Sequence, residues 1–409
     1  MRVAMISDNE TSGGAAVAAS RLAHGLYESG VHVHRIFKIS GNPPSMCSRR
    51  RVLQVGARAA RVARLVNRYC GGRLSEKVEQ ISIARGLAEK LLKVRPDVIN
   101  VHNLHGARWH PDLVALCCDT APVVWTLHDM WSFTGRCAYS YDCERYRDGC
   151  DSRCPTPTEY PALEPQRIAP AWRSRQRLLA HHPDIVAVTP SHWLAHAAST
   201  GLWREHRVEV VPYGLSLDVF RPIDRAVARK KLGLPTGAPI LLVVAEDLVV
   251  RRKGMNYLLE ALKLVRQRPL HIVAMGNGTL PINDESICVH SVGFVGDSHQ
   301  QSLAYSAADI LVHPAPVDNL PIVVTESIAC GTPCVAFPIG GLPEMVRPGV
   351  TGWMAKELSS QALAAAIDQS LTDIASGVDL RAACRQVAEE HFSLGLQTRR
   401  YIQLFQDIQ

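Results

Sequence analysis

The sequence predicts two successive α/β units, each a Rossmann-like domain with a parallel sheet, facing a cleft. Three observations lead there. Short apolar runs of strand length alternate with helical stretches, the pattern left by strands buried on both faces. The alternation restarts after Val210-Val211-Pro212-Tyr213-Gly214. A chain of 409 residues is also too long for one hydrophobic core.

In the first unit, Val3-Ala4-Met5-Ile6-Ser7 is a short apolar strand, followed by a turn at Gly13-Gly14. A small-residue helix then runs through Ala15, Val17, Ala19, Leu22 and Leu26. Further strands are expected at Val98 to Val101, Val123 to Thr126 and Ile185 to Val188. The second unit offers Ile240 to Ala245, His271 to Met275, Ile287 to Val289, Ile310 to His313 and Cys334 to Phe337. Asn256 to Arg266 and Leu320 to Cys330 read as helices between them. Ligands of such open sheets sit at the carboxyl ends of the strands.

Composition narrows the class. With 47% hydrophobic and 20% charged residues the chain is a folded protein, not a disordered or collagen-like one. MRVAMISDNE lacks the apolar core of a secretory signal, and no run of about 18 apolar residues predicts a membrane span. Twelve cysteines without a signal point to a reducing, cytoplasmic setting.

The net charge of +7 is localised. Arg49, Arg50, Arg51, Arg58, Arg61, Arg64, Arg68 and Arg73 follow one another with no acid among them, and without these eight the remaining 37 bases face 38 acids, or −1. Val55, Ala59, Val62, Val66 and Tyr69 recur at helical spacing within that segment. A basic amphipathic helix suits an anionic lipid surface. A core-packing helix with a solvated arginine face satisfies the same pattern.

Three stretches carry chemistry. In His313 to Glu344, Pro321 follows Asn319-Leu320 and fits the first turn of a helix continuing through Ile322. The free N–H groups and dipole of such a start favour a phosphate. Glu326 lies over a turn further on, placed for a ribose diol, and Asp318 precedes the helix by a few residues. A capped helix with an incidental acid is the bland alternative. Second, Arg251-Arg252-Lys253-Gly254 follows a strand end, where cations can hold a diphosphate as it departs. Third, Gly13-Gly14 lets backbone approach a ligand, and Trp125-Thr126-Leu127-His128-Asp129 puts a histidine and an acid at a strand's carboxyl end. Each alone is weak; a charge run is usually a solvated turn, and Gly-Gly does not make the G-x-G-x-x-G pattern.

Taken together these pieces resemble the retaining nucleotide-sugar glycosyltransferases of the GT-B fold, the large glycogen-synthase-like group. Ala329-Cys330-Gly331-Thr332-Pro333 and Gly340-Gly341-Leu342-Pro343-Glu344 add to the likeness, which spans nearly the whole chain in the family's order. Val124 to Trp131, continuing through Thr134-Gly135-Arg136-Cys137, further resembles bacterial exopolysaccharide transferases of the colanic-acid type. The resemblance implies an acceptor-side domain over 1–205, a donor-binding domain over 206–390, and a C-terminal helix over 391–409 returning to the first.

It also implies roles. Arg252 and Lys253 neutralise the donor diphosphate, Glu326 binds ribose, Asp318 faces the donor sugar, and His128 reaches it from the other domain. Gly13, Gly14, Asn319, Leu320, Pro321 and Ile322 line the donor site. Two positions depart from the family: Asp318 stands where a glutamate is usual, and Leu248 where an arginine is, so that Arg251 or Arg252 must substitute.

The implied reaction moves a hexose from a UDP or GDP sugar to a hydroxyl of a lipid-linked or oligosaccharide acceptor, with retention. The setting is bacterial surface polysaccharide synthesis at the cytoplasmic face of the inner membrane, with no nucleic-acid partner. No D-x-D triplet occurs, so the cations are expected to replace a metal and no cofactor is required for catalysis. The alternatives are an epimerase or phosphorylase of the same fold, and a non-catalytic nucleotide-binding protein.

Cys137, Cys143, Cys150 and Cys154 stand apart from this scheme. Four thiolates suffice for a structural zinc outside the reaction, although C-x5-C, C-x6-C and C-x3-C are wider than the tight C-x2-C ribbons. Four free thiols, or disulfides in an oxidising setting, are the competing readings.

Overall fold

A computed structural model describes residues 1–39, 53–54, 72–248 and 251–409. The arginine-rich stretch from Arg49 to Arg68, with Val55, Ala59, Val62, Val66 and Tyr69, lies outside the described side chains. Two compact units are present. The first joins Met1–Val211 with Gln397–Gln409, and the second is Pro212–Leu396.

The first unit is built on seven strands: β1 Arg2–Asn9, β2 His32–Ile39, β3 Leu53–Gln54, β4 Val98–Val101, β5 Val123–Thr126, β6 Val186–Thr189 and β7 Val208–Val210. Every pairing is parallel, in the order β3-β2-β1-β4-β5-β6-β7. Its helices are α1 Gly14–Glu28, α2 Gly72–Val94, α3 Asp112–Cys118, α4 Pro165–His181 and α5 His192–Ser199.

Alternation along β1 shows why the sheet needs cover on both sides. Ala4 and Ile6 pack with Ile99, Val101, Trp125 and Ala187 on one face. Val3 and Met5 pack on the other with Val98, Val124 and Val188, against Leu22 and Leu26 of α1. Tyr401, Leu404 and Phe405 of the last helix, α13 Leu394–Asp407, complete that second layer. A polar chain ties this helix in: Asn100 Nδ2 donates to Thr126 Oγ1 at 2.9 Å, and Thr126 Oγ1 and the Tyr401 hydroxyl share a hydrogen bond of 2.9 Å.

The second unit has six strands: β8 Ile240–Asp247, β9 Leu270–Asn277, β10 Ile287–Gly293, β11 Ile310–His313, β12 Cys334–Ala336 and β13 Gly352–Met354. They too are all parallel, in the order β10-β9-β8-β11-β12-β13. Around them lie α6 Arg225–Leu232, α7 Met255–Leu264, α8 Ser298–Ala307, α9 Ile322–Ala329, α10 Leu342–Met345, α11 Ser360–Ala375 and α12 Arg381–His391. One core joins Leu241, Val243 and Ile272 of the sheet to Leu258 and Leu262 of α7 and Ile367 of α11.

In each sheet the strand order reverses once, between β1 and β4 and between β8 and β11. Loops diverge to opposite sides at such a point and leave a crevice beyond the carboxyl ends of the two strands. The residues that follow those four strands therefore line the two crevices.

Among the described residues no helix is long and apolar enough to cross a membrane.

Candidate functional site

In the second unit the crevice is formed by the segments after β8 and β11. The turn Arg251–Lys253 follows β8, and Gly254 then opens α7 at φ 73°. A side chain at Gly254 would run into the carbonyl of Pro314, just beyond β11. Glycine thus lets the two loops touch, and the contact puts Lys253 beside Asp318.

The Lys253 ammonium donates to Asp318 Oδ2 at 3.2 Å, and His313 Nε2 lies 3.5 Å from the same oxygen. Asp318 Oδ1 accepts the Asn319 N–H at 3.0 Å. Burial opposes ionisation of Asp318, but Lys253, His313 and Arg252 outweigh it and hold the carboxyl far below the usual carboxylate range. Burial also lowers the affinity of His313 for a proton, against the pull of Asp318. The backbone of Asp318 is fixed as well, since a Cβ on Gly340, at φ 56°, would collide with its carbonyl.

Helix α9 begins at Ile322 with Pro321 as its cap, one position later than proline's expected place in the first turn. Pro321 has no N–H and no side chain caps the helix start, so the first N–H groups of the helix, those of Ile322 and Val323, are left for a ligand. Glu326 is buried and its Oε2 accepts from the Tyr305 hydroxyl at 2.7 Å. Tyr305 is in turn packed so that its carbonyl accepts from Thr332 Oγ1 at 2.7 Å. Leu248, where the family's arginine would stand, is buried in the core. Arg252 exerts its charge on Asp318 and His313; the Arg251 side chain lies outside those described.

The first unit has a second cluster at its own reversal point. Gly13 caps α1 at φ 86° with open space where a Cβ would be, and no side chain caps that helix start. Asp8, at the end of β1, accepts the Gly106 N–H at 2.9 Å. Beyond β4 and β5, His102 Nδ1 and His128 Nε2 lie 2.9 Å apart with their rings stacked. Beside them His105 Nε2 bonds Asp129 Oδ2 at 2.8 Å, and Asp129 Oδ1 takes the Trp131 N–H at 2.9 Å.

These neighbours divide the protons unequally. Burial lowers His128 to about 4 and holds His102 well below its ordinary value, so both rings are neutral near pH 7. Burial acts against the His105 cation too, but Asp129 and Asp8 outweigh it and raise its pKa. Asp129 stays below the usual range for the matching reason: burial resists its charge, and His105 overcomes it. Asp8 is raised by burial, against the opposing charge of His105. The result is one neutral histidine pair and one hydrogen-bonded histidine–carboxylate pair whose charged form is favoured.

Sequence reasoning singled out His128 here and missed Asp8, His102 and His105, and in the second unit Tyr305 and His313. A signal existed for two of them. Val98 to Val101 runs into His102-Asn103-Leu104-His105 just as Val123 to Thr126 runs into Leu127-His128-Asp129.

Residues 12–219 match the family model described as Glycosyltransferase Family 4. Residues 238–373 match the model for glycosyl transferases group 1. WcaC of Escherichia coli K12, described as a colanic acid biosynthesis glycosyl transferase, is 26% identical over 359 residues, 82% of this chain and 83% of that one. A D-inositol 3-phosphate glycosyltransferase of Mycobacterium tuberculosis is 36% identical over 203 residues, but these are only 44% of this chain and 40% of that protein. Among solved structures, sucrose-phosphate synthase from Thermosynechococcus elongatus superposes with a TM-score of 0.74 at 20% identity, covering 100% of this chain and 99% of that one. Anabaena Alr3699/HepE in complex with UDP-glucose gives 0.68 at 14% identity, with 100% of both chains covered. Both share the two-domain fold.

Proposed function

Because the chain belongs to the group 1 glycosyltransferases of the GT-B fold, we propose that it transfers a hexose from a nucleotide sugar to a hydroxyl of a lipid-linked or oligosaccharide acceptor. The setting proposed is bacterial surface polysaccharide synthesis, in keeping with the described role of the WcaC relative. The UDP-glucose bound by the HepE neighbour supports a nucleotide-sugar donor. The observation that carries the reading is the meeting of Lys253, Arg252 and the open start of α9 beyond β8 and β11.

In this reading the diphosphate lies against the first N–H groups of α9 and the cations of Arg252 and Lys253. Lys253 carries three donors, one of which is spent on Asp318. The others face the departing phosphate, whose charge grows as the bond to the sugar breaks. Asp318, held ionised, fixes the lysine and faces the donor sugar. Glu326, oriented by Tyr305, takes the ribose diol, and His128 serves the sugar as a neutral hydrogen-bonding group. The acceptor oxygen bonds to the anomeric carbon on the face the phosphate leaves. Its proton passes to the departing phosphate oxygen, so configuration is retained. Positioning and fixed charge do the work, and neither a metal nor a dedicated base is required. The arginine segment, through its charge, places the enzyme at an anionic inner-membrane surface.

Lys253→Ala and Glu326→Ala are expected each to lower sugar transfer by about a hundredfold or more while the protein stays folded. Near-normal turnover in both would defeat the reading. A labelled donor sugar should appear in a lipid-extractable or glycan product. Release to water or phosphate alone would instead mark an epimerase- or phosphorylase-like enzyme. In a thermal-shift series against UDP, GDP, ADP and their sugars, the rise in melting point grows with affinity, so the nucleotide giving the largest shift identifies the donor.

A further inference from the structure

The four thiols between Thr134 and Pro155 take no part in the scheme above. Cys137, Cys143, Cys150 and Cys154 nevertheless line one small cavity, together with Thr134 and Ile168. None is paired as a disulfide. The segment that carries them has no helix or strand between Phe133 and Pro165; it is a series of turns, such as those closed by the Cys143 N–H to the Ser140 carbonyl at 2.9 Å and the Cys154 N–H to the Asp151 carbonyl at 3.2 Å.

Two buried guanidinium groups flank this cavity. Arg136 is 3% exposed and adjoins Cys137; Arg175 is 3% exposed and its charge reaches both Cys137 and Cys150. Arg136 donates to the Glu159 carbonyl at 2.8 Å, and Arg175 to the carbonyls of Gly135 and Ala171 at 3.2 and 3.1 Å. The Nε of each has no hydrogen-bond partner. Among the described residues neither forms an ion pair with a carboxylate. Buried cations with no carboxylate in contact are costly; Asp129 acts on Arg175 from a distance, and thiols, if neutral, would add nothing to offset either charge.

We propose that Cys137, Cys143, Cys150 and Cys154 hold one zinc ion in a closed tetrathiolate site whose counter-charges are Arg136 and Arg175. Each thiol releases its proton to solvent as its sulfur binds. Four thiolates around a divalent ion carry a net charge of minus two, which the two arginines cancel. The sulfurs close from their spacing around the cavity to about 2.3 Å from the metal. Gly135 permits the close packing, since a Cβ there would lie 2.7 Å from Cys150 Cβ and 2.5 Å from Ile168 Cγ2. The clasp also steadies the candidate site, because Arg175 stacks 4.1 Å over the Trp131 ring whose amide holds Asp129.

A second group competes for the ion. His271, Cys288 and His290, on neighbouring strands β9 and β10, have ligand atoms within 4.8 Å of one another, a closeness that no three of the four thiols reach. Cys288 is exposed, and the two rings already share a hydrogen bond of 3.0 Å. The experiment must separate the two.

Full-length protein purified without chelator from zinc-supplemented cells is expected to contain about one zinc per chain by elemental analysis. The ion should survive in His271→Ala/His290→Ala and disappear in Cys143→Ser/Cys150→Ser. Should the cysteine variant fail to fold, the wild type still decides: after metal exchange, cobalt should give sulfur-to-metal charge-transfer bands of a tetrathiolate. Less than about half an equivalent of zinc in the wild type, retention in a folded cysteine variant, or loss in the histidine variant overturns the proposal. So does a cobalt spectrum without thiolate bands, or a mass increase on reduction that reveals disulfides.

Discussion

His128 is buried among His102, His105 and Asp129 with its pKa lowered to about 4, whereas an unfolded chain gives it about 6.5. The unfolded state therefore binds the extra proton first. Stability should fall as the pH drops from about 6.5 to about 4, by ~3 kcal/mol from this ring alone, and the contribution is constant below that. His105 acts the other way: its pKa is raised, so its ion pair with Asp129 is fully stabilising below about 6.5 and is lost as pH climbs through the raised value. Urea unfolding across pH 4 to 8 should show the acid-side slope, and His128→Asn should flatten it. An unchanged slope in that variant would mean the ring is not neutral in the native state. Asp318, lowered in the fold, contributes above the ordinary carboxylate pKa and gives that up only in stronger acid. His128 was legible because it ends a clean apolar strand. Asp8 and Tyr305 were not, since a lone acid or tyrosine carries no local sign of the distant N–H or carboxylate it will meet.

Two glycines set how closely the second unit's loops approach. Gly254 and Gly340 have φ of 73° and 56°, and in each case the space for a Cβ is taken by a backbone carbonyl, that of Pro314 or Asp318. Gly254→Ala should cost at least about 2 kcal/mol, from left-handed strain plus the collision. If the loop yields instead, Lys253 moves from Asp318 and nucleotide binding weakens. Melting temperature and nucleotide-induced shift, measured together, distinguish the two responses, and no change in either would contradict the geometry. Strands such as Val98–Val101, Val123–Thr126 and Ile310–His313 were readable to the residue because burial on both faces leaves a run that is apolar but for Asn100, Thr126 and His313. Strand β2, His32–Ile39, was hidden: His34 and Arg35 are buried within it, and Arg35 donates to the Glu10 carbonyl and the Ser20 hydroxyl, groups from elsewhere in the chain. Its polarity makes sense only after folding.

For the molecule as a whole, the path of the chain matters as much as the composition of each unit. The last thirteen residues, Gln397–Gln409, belong with the first unit although 185 residues of the second intervene. Tyr401 and Phe405 are at most 1% exposed there. Phe405→Ala should therefore cost about 3 to 5 kcal/mol and lower the melting of the first unit, measured by hydrogen exchange in β1 and β5. Protection lost in β8 and β11 instead would contradict the assignment. The restart of the α/β pattern was visible near residue 212. The return of the tail was implied only by resemblance, because an amphipathic helix does not say which core it will cover.

That return has a consequence during synthesis. While the ribosome is still making the second unit, the first has every strand of its sheet but an uncovered apolar strip over Val124 and Val188. It can close only when residues 397–409 have been translated and have left the exit tunnel. The half of the protein made first is thus completed last, and a nascent chain stalled anywhere after residue 211 would still need a chaperone for its N-terminal half.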